Sequence, residues 1–200
     1  FVVYLLALLI ITNRTAIKAV EPERLEKQPE TIIFGQTEQD GNIANGVEPI
    51  EWIVLDETDG KALIVSKYAL AYMPYSIDTP VALWETSYVR HWMNQEFYMS
   101  AFNEEERERI ENTLVNNMEA GSQFVEGGNA TQDYLFLLSR KDVRDYFGVN
   151  VETKTDCFYS QTAVCEPTQT ALLQSAEQNI EYQTFTRELY DNVFKAELRS

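Results

Sequence analysis

The chain has few of the side chains from which most reaction centres are built. Its 200 residues include two cysteines and a single histidine, His91. These three residues lack the paired spacing of ligands that a tetrahedral zinc site requires. His91 also has no carboxylate or nucleophile close to it in sequence that would make it a general base. The sequence therefore predicts no catalytic residue, no zinc site and no bound cofactor.

Basic residues are also scarce. The chain has 16 lysines and arginines against 32 acidic residues, a formal net charge of -16. Because this charge repels a phosphate backbone and no lysine or arginine cluster offsets it, we predict no nucleic-acid partner. The acids are not spaced to converge on a divalent cation. Asp40-Gly41-Asn42 has the start of a calcium loop but lacks the further oxygen ligands and the closing glutamate, so we predict no metal site.

A continuous apolar run occupies the amino terminus, from Phe1 to Ile11. The run is short for a membrane span and has the length of the apolar part of a secretory signal. Ala19, with Ile17 at the minus-three position, is a tolerable cleavage site, although Arg14 and Lys18 are atypical there. We predict a signal peptide or an uncleaved signal anchor over residues 1–19, in preference to a buried core helix, which needs a solvent face.

The rest of the chain divides into a charged spacer over residues 20–30 and a single domain over residues 31–200. The predicted localisation is extracytoplasmic, either secreted or anchored, and membrane contact is expected only through the amino-terminal segment. In an exported protein Cys157 and Cys165 can form a disulfide across a short loop. The alternative is two unrelated buried thiols, since sequence separation does not establish the required geometry.

The most informative segment is a predicted helix that starts at Thr86 or Ser87, either of which can cap its first amides. Four large apolar residues in this helix follow the spacing of one buried face. They are Val89, Trp92, Met93 and Phe97.

The other segments predict a fold of the α+β class, a small antiparallel sheet with two or more packed helices. Strands are predicted at residues 31–34, 113–115 and 134–138, and a hairpin pairs residues 50–55 with 62–65 through a turn at Gly60. Helices are predicted after Asn103, after Ser139 up to Gly148, and from Thr168 with Ala171, Leu172 and Ala176 on one side. The tyrosine-rich stretch 68–80 and residues 116–131 are predicted to be irregular.

Several blocks of residues resemble an uncharacterised bacterial family, domain of unknown function six-two-seven-three. The blocks occur in order between about Ile33 and Phe147: Phe34-Gly35, Glu48-Pro49-Ile50-Glu51-Trp52-x-Val54-Leu55, Gly60-Lys61-Ala62-Leu63, Ser66-Lys67-Tyr68, Trp84-Glu85-Thr86-Ser87, Arg90-x-Trp92-x-Asn94-x-x-Phe97-Tyr98, Ala101-Phe102 and Phe136-Leu137-Leu138-Ser139. Members of this family resemble exported, often multidomain surface proteins. Of the usual carboxyl-terminal W-L-R-S-P-G block only Leu198-Arg199-Ser200 is present, so the resemblance implies a domain truncated at its carboxyl end.

The order of elements is similar to C-type-lectin-like folds, which include relatives of the formylglycine-generating enzyme. That likeness concerns the fold and does not carry an activity with it. The oxidase chemistry of those relatives needs a reactive cysteine pair in the late core, and Cys157 and Cys165 lie elsewhere in the order of the chain. We do not transfer that chemistry.

Three residues at the helix start, Trp84, Glu85 and Arg90, are candidates for a ligand-facing cluster. The alternative, which we favour, is that Glu85 or Arg90 pins the helix to a neighbouring loop by charge-assisted hydrogen bonds. Glu48 and Glu51 are a possible acid pair, but residues three apart in a strand lie on opposite faces, which is unsuited to joint acid–base work.

These observations favour a non-catalytic extracytoplasmic binding or adhesion module of a bacterial surface or secreted protein. Its expected partner is a glycan or a protein ligand at the cell surface. The alternatives are an enzyme of the lectin-like formylglycine-generating class, or a hydrolase, and a structural spacer domain. An exposed aromatic patch would separate the binding module from the spacer.

Overall fold

The computed structural model describes residues 2–4, 8–12, 29–77, 83–117, 128–148 and 165–177. The strands are β1 Val2–Tyr4, β2 Leu8–Thr12, β3 Thr31–Thr37, β4 Glu48–Thr58, β5 Lys61–Ser66, β6 Tyr72–Pro74, β7 Thr113–Val115 and β8 Thr131–Asp133. The helices are α1 Tyr88–Trp92, α2 Tyr98–Ala101, α3 Glu104–Arg109, α4 Arg140–Phe147 and α5 Gln169–Glu177. A 3-10 turn, Trp84–Thr86, precedes α1, and a π-helical turn, Met93–Phe97, joins α1 to α2.

The main sheet has four antiparallel strands in the order β2-β5-β4-β3. Its centre is the predicted hairpin of β4 and β5, which is confirmed. The hairpin turns at Asp59 and Gly60, whose φ angles of 52° and 75° are both positive, as a tight two-residue hairpin turn requires. Two further antiparallel pairs, β1 with β6 and β7 with β8, complete the mixture of sheet and helix, so the α+β class is confirmed.

The outer strand β3 carries a bulge where its pairing with β4 shifts between Ile33 and Gln36. Gly35 lies inside the bulge with φ of 71°. A Cβ at Gly35 would lie 2.5 Å from Cε1 of Phe102 and 2.9 Å from the carbonyl oxygen of Ala101. Glycine is therefore needed both for the backbone angle and for the close approach of α2 to the strand.

The predicted signal segment supplies two strands of the structure. β1 pairs with β6, and β2 pairs with β5 as the outermost strand of the main sheet. The side chain of Leu9 is fully buried in the core. The sheet thus includes residues ahead of the predicted domain boundary at residue 31, and the role of residues 1–19 as an export signal stays a prediction. Residues 13–28, most of the predicted spacer, lie outside the described residues.

The helical segment 88–101 buries its apolar face on this sheet, as its pattern predicts. Val89, Met93 and Phe97 are at most 3% exposed, and Trp92 packs against the same core half-buried. Ser87 caps α1 by accepting from the Arg90 amide. Burying the three fully covered side chains contributes on the order of 5–9 kcal/mol before the entropy of ordering is subtracted.

The shorter predicted helices are also present. Asn103 and Glu106 form a capping box at α3, and Ser139 and Asp142 form another at α4. Gly148 ends α4 in the left-handed conformation with φ of 66°. The strand at residues 113–115 is confirmed as β7.

The predicted strand at residues 134–138 is wrong. The strand of this region is β8, which ends at Asp133 and pairs with β7. Leu135 and Phe136 are buried, as an apolar run should be. However, the backbone amides of Tyr134 and Leu135 donate to the side-chain oxygen of Asn94, at 2.7 and 3.1 Å, instead of to a neighbouring strand.

Two other predictions need correction. The tyrosine-rich stretch contains a regular strand, β6, which pairs with β1 and also donates from the Tyr72 amide to the side chain of Gln174 on α5. On α5 the buried positions are Ala171 and Ser175, whereas Ala176 is exposed. This face packs beside residues 69–72, where Ala69 and Pro167 form a parallel bridge.

The structure describes only one of the two cysteines of the predicted disulfide. Cys165 is buried and forms no disulfide within the described residues, and Cys157 lies outside them, so the disulfide between the two stays a prediction. Burial raises the pKa of the Cys165 thiol to about 12. Within the described part of the chain, none of the helices has both the length and the apolar character needed to cross a membrane.

Candidate functional site

Two of the three candidate residues at the helix start, Trp84 and Arg90, are brought together by a further acid, Asp133, and Glu85 joins them through its carbonyl, which accepts from Arg90. Trp84 and Glu85 lie in the 3-10 turn, Arg90 lies in the first turn of α1, and Asp133 ends β8. We call these four residues, with Thr131, the helix-start cluster. It joins the central helix to a part of the chain more than 40 positions later in sequence.

The carboxylate of Asp133 is fully buried and accepts three hydrogen bonds. Its Oδ1 accepts from Nε of Arg90 at 2.7 Å. Its Oδ2 accepts from Nε1 of Trp84 at 2.8 Å and from Oγ1 of Thr131 at 2.6 Å. A buried charge with a charged partner and two further donors is well compensated for the loss of water.

Arg90 and Glu85 use their remaining groups on neighbouring backbone and side chains. Arg90 donates from Nη1 to the carbonyl of Glu85 at 3.2 Å. Both carboxylate oxygens of Glu85 accept from Nδ2 of Asn129, at 2.8 and 3.2 Å. Gly128 lies against Glu85, since a Cβ there would be 3.5 Å from the Glu85 Oε1.

Asn94 extends these contacts by one helical turn. Its side chain accepts from the Tyr134 and Leu135 amides and donates from Nδ2 to the carbonyls of Arg90 and Leu135, at 3.1 and 2.8 Å. Asn94 thus behaves like a strand partner for residues 134–135. Its position in the π-helical turn directs it to this segment.

The helix-start cluster therefore holds the start of α1 to the end of β8. The polar side-chain atoms of Arg90, Asp133 and Trp84 form hydrogen bonds within the protein. These contacts agree with the favoured alternative, in which the charged residues pin the helix to a neighbouring segment. The hydroxyl of Thr131 donates to Asp133, and His91 lies next to Arg90 but on the exposed side of the helix, outside the cluster.

The other candidate acid pair does not form a joint site. Glu51 forms an ion pair with Lys67, with 2.6 Å between Oε2 and Nζ. Glu48 instead accepts from the Gln39 amide at 2.7 Å through its Oε2. The two carboxylates serve different contacts.

A second group of polar residues lies in the loop between β3 and β4, residues 38–47. The carboxylates of Glu38, Asp40 and Glu48 approach one another within 4.8 Å. The prediction that the acids do not converge is therefore wrong, because folding of this loop brings Glu48 back beside Glu38. Exposed acidic groups often lie together without a cation, so this convergence alone does not define a metal site.

The loop is held by hydrogen bonds from its own backbone and side chains. Glu38 accepts from the Gly41 and Asn42 amides, at 2.8 and 3.1 Å. Asp40 accepts from the Asn42 amide and the Asn45 side chain, both at 2.7 Å. The Asn45 side chain and then the Asn42 amide hold the pKa of Asp40 below its usual value.

This ordered loop also exposes large apolar side chains. Ile43 is 88% exposed and Val47 is 50% exposed. Leu173 of α5, 45% exposed, lies against the same loop, because a Cβ at Gly41 would be 2.6 Å from its Cδ1. The loop is tied to α5 by the Thr170 amide, which donates to the Gln39 carbonyl at 3.1 Å. We call Ile43, Val47 and Leu173 the loop patch.

Sequence reasoning missed Asp133, Asn94 and the loop patch as parts of sites. For Asp133 a signal was present, since an acid directly before a buried apolar run needs a partner. Arg90 and Asn94 share one of the blocks that carry the family resemblance, although their common role depends on contacts with residues 132–135. The loop patch gave no pattern in the sequence, because Ile43 is a lone apolar residue among turn residues and shows no periodicity.

Residues 59–194 match the sequence profile of a family described as Domain of unknown function (DUF6273). The match starts later and ends later than the span over which the blocks of the sequence resemble that family. No curated protein and no solved structure matches the chain.

Proposed function

The chain belongs to the DUF6273 family, since its profile covers most of the 200 residues, and from this premise we propose that the protein is a non-catalytic extracytoplasmic binding or adhesion module. The contact surface that we assign to it is the loop patch. Its partner is a protein ligand at the cell surface.

The observation that carries the proposal is an ordered loop with exposed apolar side chains. Exposing Ile43 costs free energy that the fold does not recover by itself, whereas burying it against a partner would recover it. The internal hydrogen bonds of residues 38–45 fix the loop before any partner arrives, so little ordering entropy is lost on binding. A loop on a rigid scaffold is the usual place for such contacts.

A protein ligand suits this surface better than a glycan. The exposed large apolar residues of the described chain are aliphatic except for Tyr146, so the patch has no aromatic platform. The adjacent carboxylates of Asp40 and Glu48 favour a partner surface that is basic around an apolar centre. A glycan ligand remains the alternative of the same class.

The competing functions have less support. An enzyme of the formylglycine-generating class or a hydrolase needs reacting groups that meet, and the helix-start cluster uses its polar atoms for structural contacts. The described residues show no exposed aromatic patch of the kind that would separate a binding module from a spacer, so we prefer the binding module on the exposure of Ile43 in an ordered loop alone. We also propose that the fold is C-type-lectin-like and that the chain is exported. Export is supported by the length of the apolar run, residues 1–11.

The proposal is tested with the full chain immobilised on a biosensor. Panels of purified extracellular proteins and of glycans and cell-wall fragments are passed over it. We expect saturable binding of a protein ligand that the Ile43→Glu and Val47→Glu variants each weaken at least about tenfold, as loss of a contact worth more than 1.4 kcal/mol requires.

The matched control is Leu114→Glu, which changes a side chain that is 63% exposed on β7, away from the loop. Equal loss of binding in this control would count against the loop patch. Uniform absence of binding by the full chain, or a turnover activity that Glu51→Gln abolishes, would reject the proposed function.

A further inference from the structure

The loop between β3 and β4 contains an asparagine that is followed directly by a glycine, Asn45-Gly46. Both residues are exposed. Gly46 has φ of 101°, and a Cβ built on it would meet nothing within 4 Å, so its backbone is surrounded by open space. Among the described residues, no acceptor binds the Gly46 amide. The backbone nitrogen of Gly46 is therefore accessible to solvent and to the side chain that precedes it.

An asparagine side chain and the next backbone nitrogen are able to react with each other. Bond formation between the Gly46 nitrogen and Cγ of Asn45 closes a cyclic imide, a succinimide. A side chain on the residue that supplies the nitrogen obstructs this ring closure, and glycine has none. The Asn45-Gly46 pair thus combines the carbon that is attacked with an unobstructed nucleophile.

The same loop contains a second exposed asparagine, Asn42, which lacks these features. The residue after it is Ile43, whose side chain branches at Cβ and crowds its own backbone nitrogen. The Asn42 side chain is also engaged, since its Oδ1 accepts from the Ala44 amide at 3.3 Å. Ring closure is therefore expected at Asn45 in preference to Asn42.

Asp40 stabilises the intact side chain of Asn45. Nδ2 of Asn45 donates to Oδ2 of Asp40 at 2.7 Å, and this hydrogen bond is lost when Nδ2 departs. During the attack, negative charge develops on the Gly46 nitrogen and then on the Asn45 side-chain oxygen. A carboxylate beside these atoms disfavours that charge. Asp40 should therefore slow the reaction of Asn45.

We propose that Asn45 is a site of spontaneous deamidation, in which water converts its side-chain amide to a carboxylate and the loop loses its hydrogen bond to Asp40. In the first step the Gly46 nitrogen gives up its proton and bonds to Cγ, while Nδ2 takes up a proton and leaves as ammonia. In the second step water adds to one of the two carbonyl carbons of the imide. The bond from that carbon to the Gly46 nitrogen breaks, and the nitrogen regains a proton.

The product changes the contacts of the loop. Opening of the imide at Cγ gives aspartate, and opening at the backbone carbonyl carbon gives isoaspartate, which also lengthens the backbone. Either product places a second negative charge beside Asp40, where Asn45 donates a hydrogen bond in the intact protein. Repulsion then replaces a contact that orders the loop between Ile43 and Val47. The consequence for ligand binding rests on the proposed function of the loop patch, whereas the conversion itself does not.

The first test follows the conversion in the folded full chain during incubation in mildly alkaline buffer. Peptide mass spectrometry detects the gain of about 1 Da that accompanies the exchange of ammonia for water. We expect this gain at Asn45 at least about tenfold faster than at Asn42 in the same molecules. It should be faster again in the Asp40→Ser variant, which removes the carboxylate.

Equal rates at Asn42 and Asn45 would overturn the proposal. It would also be overturned if Asn45 stays intact in the folded protein over a period in which the urea-unfolded chain is converted. An unchanged rate in Asp40→Ser would overturn the role of Asp40.

The second test measures the order of the loop. Hydrogen exchange at the amides of positions 42 and 45 is compared between the unchanged protein and Asn45→Asp. The matched control is Asn129→Asp, which places a carboxylate beside Glu85, outside the loop. We expect exchange at least about tenfold faster only in Asn45→Asp, and unchanged exchange there would reject the loss of order. Failure to find a ligand for the loop patch would leave the mass gain at Asn45 unaffected, so the two proposals fail separately.

Discussion

Asp133 carries the buried negative charge of the helix-start cluster. Its carboxylate is fully buried and accepts from Arg90, Trp84 and Thr131. Trp84 and Arg90 lie more than 40 positions before Asp133, whereas Thr131 is on the same strand, so the carboxylate joins α1 and the 3-10 turn to β8. Replacing Asp133 should therefore lower the free energy of unfolding, and we expect no effect on a catalytic activity.

We predict that Asp133→Asn lowers the free energy of unfolding by about 2–4 kcal/mol, because an amide has one acceptor oxygen and would turn its own donors toward Arg90 or Trp84. Urea unfolding followed by tryptophan fluorescence measures this. The control is Asp145→Asn, whose exposed pairing with Lys141 should contribute less than about 1 kcal/mol. Equal effects of the two substitutions would contradict the role of the buried carboxylate.

Cys165 gives a prediction about pH. Burial raises its pKa from 9.0 to about 12. The folded state therefore holds this proton more tightly than the unfolded state does. The resulting stability is fully present below pH 9 and is lost as the pH rises toward 12.

In a Cys157→Ser protein, we expect Cys165 to react with a thiol reagent at pH 8 at least about tenfold more slowly when folded than when unfolded in urea. The unfolding free energy should fall between pH 9 and 11, and this fall should be smaller when Cys165 is also replaced by alanine. Rapid reaction of the folded protein would show that the thiol is neither buried nor protonated as described.

At the scale of elements, the bulge in β3 depends on the approach of α2. Gly35 has φ of 71°, and its amide donates to Oε1 of Glu106, which also caps α3. The bulge thus connects the outer strand with two helices.

We predict that Gly35→Ala destabilises the protein by more than Gly60→Ala does. Both glycines have positive φ, so both substitutions should cost about 1 kcal/mol in backbone strain. Only at Gly35 would the new Cβ meet Phe102 and the Ala101 carbonyl, whereas nothing lies within 4 Å at Gly60. Thermal unfolding of the two variants gives the comparison, and a larger loss at Gly60 would contradict it.

The elements that were predictable from the sequence are those with local signals. The turn at Asp59-Gly60, the capping boxes at Asn103 and Ser139, and the spacing of Val89, Met93 and Phe97 each depend on residues close together in the chain. Their physical causes act within a few positions, so a single sequence reveals them.

The elements that were not predictable depend on distant partners. The run 134–138 has the composition of a strand. However, the backbone amides of its first two residues donate to the side chain of Asn94, which lies 40 positions earlier than Tyr134. The apolar run at the amino terminus has the composition of a signal, and the structure pairs part of it with β5. The acids of the loop 38–47 converge only after β4 returns Glu48 to Glu38.

At the scale of the whole molecule, the acidity from which we predict no nucleic-acid partner should also act on stability. The net charge of -16 is spread over a domain in which each described ion pair except Arg90–Asp133 is exposed or partly exposed at both members. Such exposed pairs contribute little, and repulsion among the excess carboxylates opposes the compact state. Loss of this repulsion should therefore stabilise the fold.

We predict that raising sodium chloride from about 0.02 to 0.5 M at pH 7 increases the melting temperature, because the Debye length falls from roughly 20 Å to 4 Å. The increase should be several degrees for a domain of this size, as about 1 kcal/mol implies. The control is the same titration at about pH 4.5, where more carboxylates are protonated and the repulsion is weaker. A salt effect of equal size at both pH values would show that general salt exclusion, and not screening of the acidic surface, causes the stabilisation.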